Sequence, residues 1–149
     1  MNRTIAICAL LAWAAAWAAL VAAAPWTISD QNRFLKGFVN EQFLSFMGVV
    51  VTITLASAAN LYIELNKLED KIGQQVFIKT KADVRTSAYF LIGTLIASIV
   101  TVIMKPLLDC GPRAEAGVNG VAITILILSI MVLIDLTQAA FNLDPHAGD

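Results

Sequence analysis

Four long windows without a charged residue divide the chain, and they constrain its fold more than any other feature. They occupy 86 of the 149 residues and comprise residues 4–29, 42–63, 86–104 and 116–134. A helix rises roughly 1.5 Å per residue, so the shortest windows span about 28 Å, close to the ~30 Å hydrocarbon core of a bilayer. Because backbone exposed to lipid must satisfy its own hydrogen bonds, each window is predicted to form a helix.

The predicted fold is therefore an all-α integral membrane protein, a single domain over residues 1–149 that forms a bundle of four transmembrane helices. Composition agrees, since 58% of the residues are hydrophobic and only 14% are charged. A short cytoplasmic helical extension between helices 2 and 3 is also expected, because Leu61, Leu65, Leu68 and Ile72 continue the helical spacing as far as Gly73. The predicted spans are about 4–24, 42–64, 86–107 and 118–140.

The first window has a second interpretation. Arg3 before the window, the apolar stretch and the small residues that follow it resemble a secretory signal that would be cleaved after Ala23. The apolar stretch is, however, longer than the roughly 7–15 residues of a signal's apolar region. Trp13 and Trp17 also lie one turn apart on one face. These features favour a retained helix that packs through one face against a neighbour.

The distribution of Lys and Arg predicts the orientation. Five of the ten basic residues lie between residues 65 and 85, and the positive-inside rule places that loop in the cytoplasm. With four helices, both termini are then cytoplasmic and the chain lies in the plasma (inner) membrane. The outer connection, residues 25–41, is either an amphipathic surface helix capped by Asp30 or the beginning of the second spanning helix.

Small residues recur every four positions in the second and third predicted helices. Ridges of small residues let helix backbones approach closely within a membrane. We therefore predict that these two helices pack against each other through the ridges, although a path lined by Ser and Thr is an alternative interpretation. The residues concerned are Gly48, Thr52 and Ala56 in one helix and Gly93 and Ala97 in the other.

A set of polar residues interrupts the apolar pattern near the predicted cytoplasmic ends of the helices. Charged groups in a membrane-spanning segment are functional candidates, because an acidic group at the bilayer centre costs on the order of 3 kcal/mol on insertion. Arginine and carboxylate pair well, so Asp135 is predicted to pair with Arg85 or to bond to Asn60. The candidate cluster consists of Asn60, Glu64, Arg85, Asp135 and Gln138.

Motifs for catalysis or for binding a metal or cofactor do not occur in the sequence. The single histidine and two distant cysteines do not make a zinc site, and no glycine-rich phosphate loop is found. A net charge of −1 offers no basic surface for nucleic acid. We therefore expect no enzymatic activity and no cofactor.

The expected function is that of a small polytopic protein of the lipid bilayer that assembles into a homo-oligomer or serves as an accessory subunit for a membrane partner. The small-residue ridges and the lack of catalytic groups support this expectation. The alternative is a small channel or ion-coupled transporter, with a polar path near Asn60, Glu64 and Asp135.

Overall fold

The computed structural model describes residues 3–108 and 110–141, and every regular element within these ranges is helical. The α-helices are α1 (Arg3–Ala23), α2 (Pro25–Ile28), α3 (Arg33–Gly37), α4 (Phe43–Ile72), α5 (Ile78–Met104) and α6 (Pro112–Phe141). A π-helical segment, Phe38–Gln42, precedes α4, and a 3-10 turn, Lys105–Leu108, follows α5.

Three helical stretches are long and apolar enough to cross a membrane: Pro25–Ile72, Ile78–Leu108 and Pro112–Phe141. Only 17–28% of their apolar windows is buried inside the chain, so most of this apolar surface faces outward. The apolar stretch of α1 in the described part of the chain, Ile7–Ala23, is shorter. The helical fold and three candidate spans agree with the sequence-based prediction, whereas the fourth span remains a prediction.

α4, α5 and α6 pack against one another around a shared core. The buried residues of each helix follow a spacing of three or four, which places them on one face. Apolar side chains dominate this core, with a few hydroxyl groups among them. Its buried members include Met47, Val51, Thr54, Ala58 and Leu61 from α4, Leu91, Thr94 and Ser98 from α5, and Ala122, Ile125 and Ser129 from α6.

The predicted contact between the small-residue ridges does not form within the chain. Thr52, Ala56 and Gly93 are exposed, and Ala97 alone of the five predicted residues packs against the core. A Cβ atom added at Gly48 or at Gly93 would meet nothing within 4 Å. The prediction that α4 and α5 pack through these ridges is therefore wrong.

The position of the α4 ridge follows from helix geometry. Adjacent residues on an α-helix are about 100° apart around its axis. The buried residues Val51, Thr54 and Ala58 occupy the face that meets the other helices. Thr52 and Ala56 consequently point away from that face, and the ridge runs along the outside of the bundle.

The connection before α4 is the beginning of the second long helix, the simpler of the two interpretations considered above. Buried residues Leu35, Val39, Phe43 and Met47 are spaced by four, and in an α-helix each such step advances about 40° beyond a full turn. The π segment has a wider turn, in which the N–H of Phe43 bonds to the carbonyl of Phe38. The wider turn absorbs the rotation and keeps this row of side chains on the core.

α4 and α5 form a hairpin that extends beyond the apolar windows. α4 ends at Gly73, which has a left-handed conformation (φ 69°) and donates its N–H to the carbonyl of Glu69. Glycine adopts this conformation without strain. The helix thus extends past residue 64 to the point that the sequence indicated. After the turn, Phe77 packs against the core while Val76 and Ile78 stay exposed.

Candidate functional site

The residues of the predicted polar cluster lie on the surface of the described chain. Its members are all exposed, namely Asn60, Glu64, Arg85, Asp135 and Gln138. Glu64 pairs with Lys67 at 2.7 Å on its own helix. Among the described residues, the ion pairs do not include one between Arg85 and Asp135.

The exposure of these five polar residues follows from the residues next to them in the sequence. Four of the five adjoin a buried residue in the sequence, since Leu61, Leu65, Val84 and Leu136 are buried. A side chain one position away points about 100° from its neighbour. The predicted cluster therefore lies off the contact faces of α4, α5 and α6.

A buried ion pair lies instead where the turn before α3 meets the end of α5 and the beginning of α6. The Lys105 ammonium donates to Asp30 Oδ1 and to Asn119 Oδ1, each at 2.8 Å. Lys105 is only 8% exposed and Asn119 is fully buried. Asn119 Nδ2 also donates to the Ile28 carbonyl at 3.1 Å and to Asp30 Oδ1 at 3.2 Å. These partners offset the desolvation of the lysine, since a buried charge without them is strongly destabilising.

The residues adjacent to Asp30 and to Lys105 in the sequence place these two side chains where they meet. Asn32 caps α3, because its Oδ1 accepts hydrogen bonds from the N–H groups of Phe34 and Leu35. The prediction that Asp30 is the cap is therefore wrong. Asp30 is thereby left in the turn before the cap, where its carboxylate is available for Lys105. Lys105 begins the 3-10 turn after α5, and the following residue, Pro106, has no N–H with which to continue an α-helix.

A cavity of about 340 Å³ adjoins the ion pair. Glu115 lies in the first turn of α6, where an acidic side chain is favoured, and its Oε2 accepts the Asp30 N–H at 3.0 Å. Asn40 Nδ2 donates to Asp30 Oδ2 at 3.3 Å. The lining combines these groups with two apolar side chains: Asp30, Asn40, Val102, Lys105, Pro106 and Glu115.

Asp30 remains ionised in this environment. Burial raises the pKa of its carboxyl, but hydrogen bonds from Lys105, Asn119 and Asn40, together with the lysine charge, lower the pKa by more. The result is a pKa below the ordinary value of 3.8. Asp30 therefore supplies a full negative charge to Lys105 at neutral pH.

A second ion pair joins the arms of the hairpin at the other end of the bundle. Lys81 on α5 donates to the Glu69 carboxylate on α4 and to Asn66 Oδ1, the latter at 2.7 Å. Glu69 also accepts the N–H of Phe77 at 2.7 Å. The hydrogen bond from Lys81 holds the pKa of Glu69 below its ordinary value of 4.5 despite the desolvation of the carboxyl. This pair ties the hairpin together.

α1 contacts the bundle through its tryptophans. Trp13 Nε1 donates to Thr124 Oγ1 and Trp17 Nε1 donates to the Ala116 carbonyl, both at 3.0 Å. Gly120 makes room for the second indole, since an added Cβ there would lie 2.1 Å from Trp17 Nε1. The face of α1 that carries Trp13 and Trp17 thus packs on α6, consistent with the one-sided contact predicted for this helix.

The Asp30 site was missed because its members are far apart in the sequence. A signal was nevertheless present, since Asp30 and Lys105 each end a long uncharged window. Within the residues that the structure describes, no group of three or more His, Cys, Asp or Glu side chains is placed to hold a metal ion. No protein-family model, curated protein or solved structure matches the chain.

Proposed function

We propose that the protein is a polytopic membrane subunit without enzymatic activity that assembles laterally, first of all with copies of itself. The observation that carries this proposal is the outward position of the ridge formed by Gly48, Thr52 and Ala56. Helices in lipid associate through small residues, because these let two backbones approach closely. A ridge that is not used inside the chain remains available to a second chain or to a membrane partner.

The same proposal includes four spans, with both termini cytoplasmic and the chain in the plasma (inner) membrane. The tryptophan contacts with α6 support the retention of α1 as the fourth helix. The five basic residues between residues 65 and 85 support the orientation. Much of the outward apolar surface then faces lipid, and the ridge is where close helix contact is favoured.

Crosslinking in native membranes tests the assembly. We expect crosslinked species up to one oligomer of defined size. Ala56→Leu should lower the yield of these species, because the larger side chain separates the backbones. Ser57→Leu is the matched control, since Ser57 is also exposed but points about 100° away from Ala56. A monomer in membranes, or equal loss of crosslinking in both variants, contradicts the proposal.

The channel or transporter alternative has weaker support. Its candidate residues Asn60, Glu64 and Asp135 are exposed rather than buried between the helices. Ion flux into liposomes that contain the purified protein distinguishes this alternative. Flux that is abolished by Asp135→Asn, in a variant with unchanged thermal stability, would favour transport over an assembly role.

A further inference from the structure

The cavity beside the Asp30–Lys105 pair has the dimensions and the mixed lining of a ligand site. Its volume of about 340 Å³ falls in the range of about 300–1,000 Å³ typical of small-molecule pockets. A water molecule takes up about 30 Å³ in the liquid, so the cavity is too large for a single bare ion. Charged and amide groups form one part of the lining, and Val102 and Pro106 form another.

The charges on the lining do not cancel. Lys105 is balanced by Asp30 at 2.8 Å, which leaves the carboxylate of Glu115. Glu115 forms no ion pair with any residue in the described ranges. Its Oε2 accepts the Asp30 N–H, and a carboxylate has about four acceptor positions. The described residues that line this half-buried cavity therefore carry one surplus negative charge with unused acceptor capacity.

We propose that this cavity binds an ammonium group, with the charge balanced by Glu115 and the attached carbon atoms in contact with Val102 and Pro106. Asn40 lies on the same lining, and its amide oxygen can accept a further hydrogen bond from a primary amine. An anion is disfavoured, because Lys105 is buried and already bonded to two oxygens. Calcium is disfavoured because it takes 6–8 oxygen ligands, whereas the described residues of the lining supply two carboxylates.

Two sources supply this chemistry. The cavity lies where the apolar window of residues 86–104 ends, a level at which lipid headgroups meet a protein that spans the bilayer. An aminophospholipid headgroup and a small free amine both present an ammonium group with adjacent carbon atoms. The binding experiment therefore has one arm for each source.

The decisive variant is Glu115→Gln, which removes the charge and keeps an amide oxygen that can accept the Asp30 N–H. In the first arm, ethanolamine and choline are titrated into the detergent-solubilised protein while the unfolding midpoint is recorded. In the second arm, the protein is placed in nanodiscs of phosphatidylethanolamine or of phosphatidylglycerol. We expect a saturable rise in the midpoint with the ammonium ligand and an affinity about tenfold lower for Glu115→Gln.

Glu41→Gln is the matched control, because it makes the same charge change at an exposed residue that does not line the cavity. Its response should equal that of the unaltered protein. Stabilisation by free amines identifies a small amine as the ligand, and stabilisation by phosphatidylethanolamine alone identifies a headgroup. No response in either arm, or an unchanged affinity in Glu115→Gln, overturns the proposal.

A second variant keeps the test decisive if Glu115→Gln does not fold, as judged by circular dichroism. Val102→Trp fills the cavity from its apolar side and leaves every charge in place. Loss of the amine response in this variant, with helical content retained, supports the site. An intact response in a folded Val102→Trp protein overturns it.

Discussion

The ammonium of Lys105 lies 2.8 Å from the carboxylate of Asp30, a residue 75 positions earlier in the chain. Asn119 bonds to both of these groups. The contact joins the turn before α3 to the end of α5, and through Asn119 to α6. One network of charged and amide groups therefore holds together three parts of the chain that are distant in sequence.

The first prediction concerns the coupling between these two charges. Asp30→Ala and Lys105→Ala should each lower the free energy of unfolding by about 3 kcal/mol, because each leaves the other charge buried without its partner. The double variant should lose less than the sum of the two. Unfolding in mixed micelles measures all three values.

The exposed pair of Lys67 and Glu64 is the control for this cycle. Its side chains are 61% and 58% exposed, so Lys67→Ala should cost less than about 1 kcal/mol. Strict additivity of the Asp30 and Lys105 variants would show that the pair does not act as a unit.

The second prediction is a pH dependence. The folded pKa of Asp30 lies below its ordinary value of 3.8, so its contribution to stability is fully present above that value. The contribution is lost as the pH falls through the folded pKa, because the protonated carboxyl no longer carries a charge for Lys105. The difference in unfolding midpoint between the unaltered protein and Asp30→Asn should be constant from neutral pH down to about pH 4 and should then shrink. A difference that grows on acidification contradicts the assignment.

The third prediction concerns the close approach of α1 to α6. Gly120→Ala should destabilise the protein by about 1–3 kcal/mol, because the added Cβ would lie 2.1 Å from Trp17 Nε1. Limited proteolysis at the junction of α1 and α2 should become faster, because α1 no longer packs closely on α6. Adding Trp17→Ala to this variant should cost less than Trp17→Ala costs in the unaltered chain.

Gly117→Ala provides the matched control for that substitution. A Cβ at Gly117 meets nothing within 4 Å, and alanine is favoured over glycine in a helix by up to ~1 kcal/mol. This variant should therefore be as stable as the unaltered protein or slightly more stable. Equal destabilisation by both glycine substitutions would contradict the specific contact with Trp17.

The fourth prediction separates contacts within the chain from contacts between chains. Gly93→Leu should change the unfolding free energy of the monomer by no more than about 0.5 kcal/mol, because Gly93 is exposed and has open space beside it. Thermal unfolding in a detergent that keeps the protein monomeric gives the value. A large loss under these conditions would show that Gly93 does lie in a contact within the chain.

The fifth prediction tests the orientation. In a variant without the native cysteines, a Gln74→Cys probe should resist an impermeant thiol reagent added to intact cells, because the basic loop is predicted to be cytoplasmic. Cys110 in the unaltered chain is exposed and is predicted to lie on the outer side, so it serves as the positive control. Labelling of the Gln74→Cys probe from outside contradicts the orientation.

Local sequence patterns were enough to predict the helices and several of their ends. Long uncharged windows and apolar spacing are local properties, so they predict helices without knowledge of the neighbouring elements. The helical spacing of Leu61 and Leu65 indicated that α4 continues past its apolar window, and Gly73 indicated where it ends. These predictions hold because the backbone conformation at such positions depends mainly on the residues nearby.

Which face of each helix is buried, and which polar groups meet, depends on how the helices assemble. Gly48 and Gly93 have the spacing of a contact ridge, but larger residues about 100° away fill the contact and leave both glycines beside open space. Asp30 and Lys105 carry no local sign of each other, because their pairing depends on how α5 and the turn before α3 are brought together. Packing selects among faces and partners that the sequence allows, because the burial of a side chain is a property of the assembled helices.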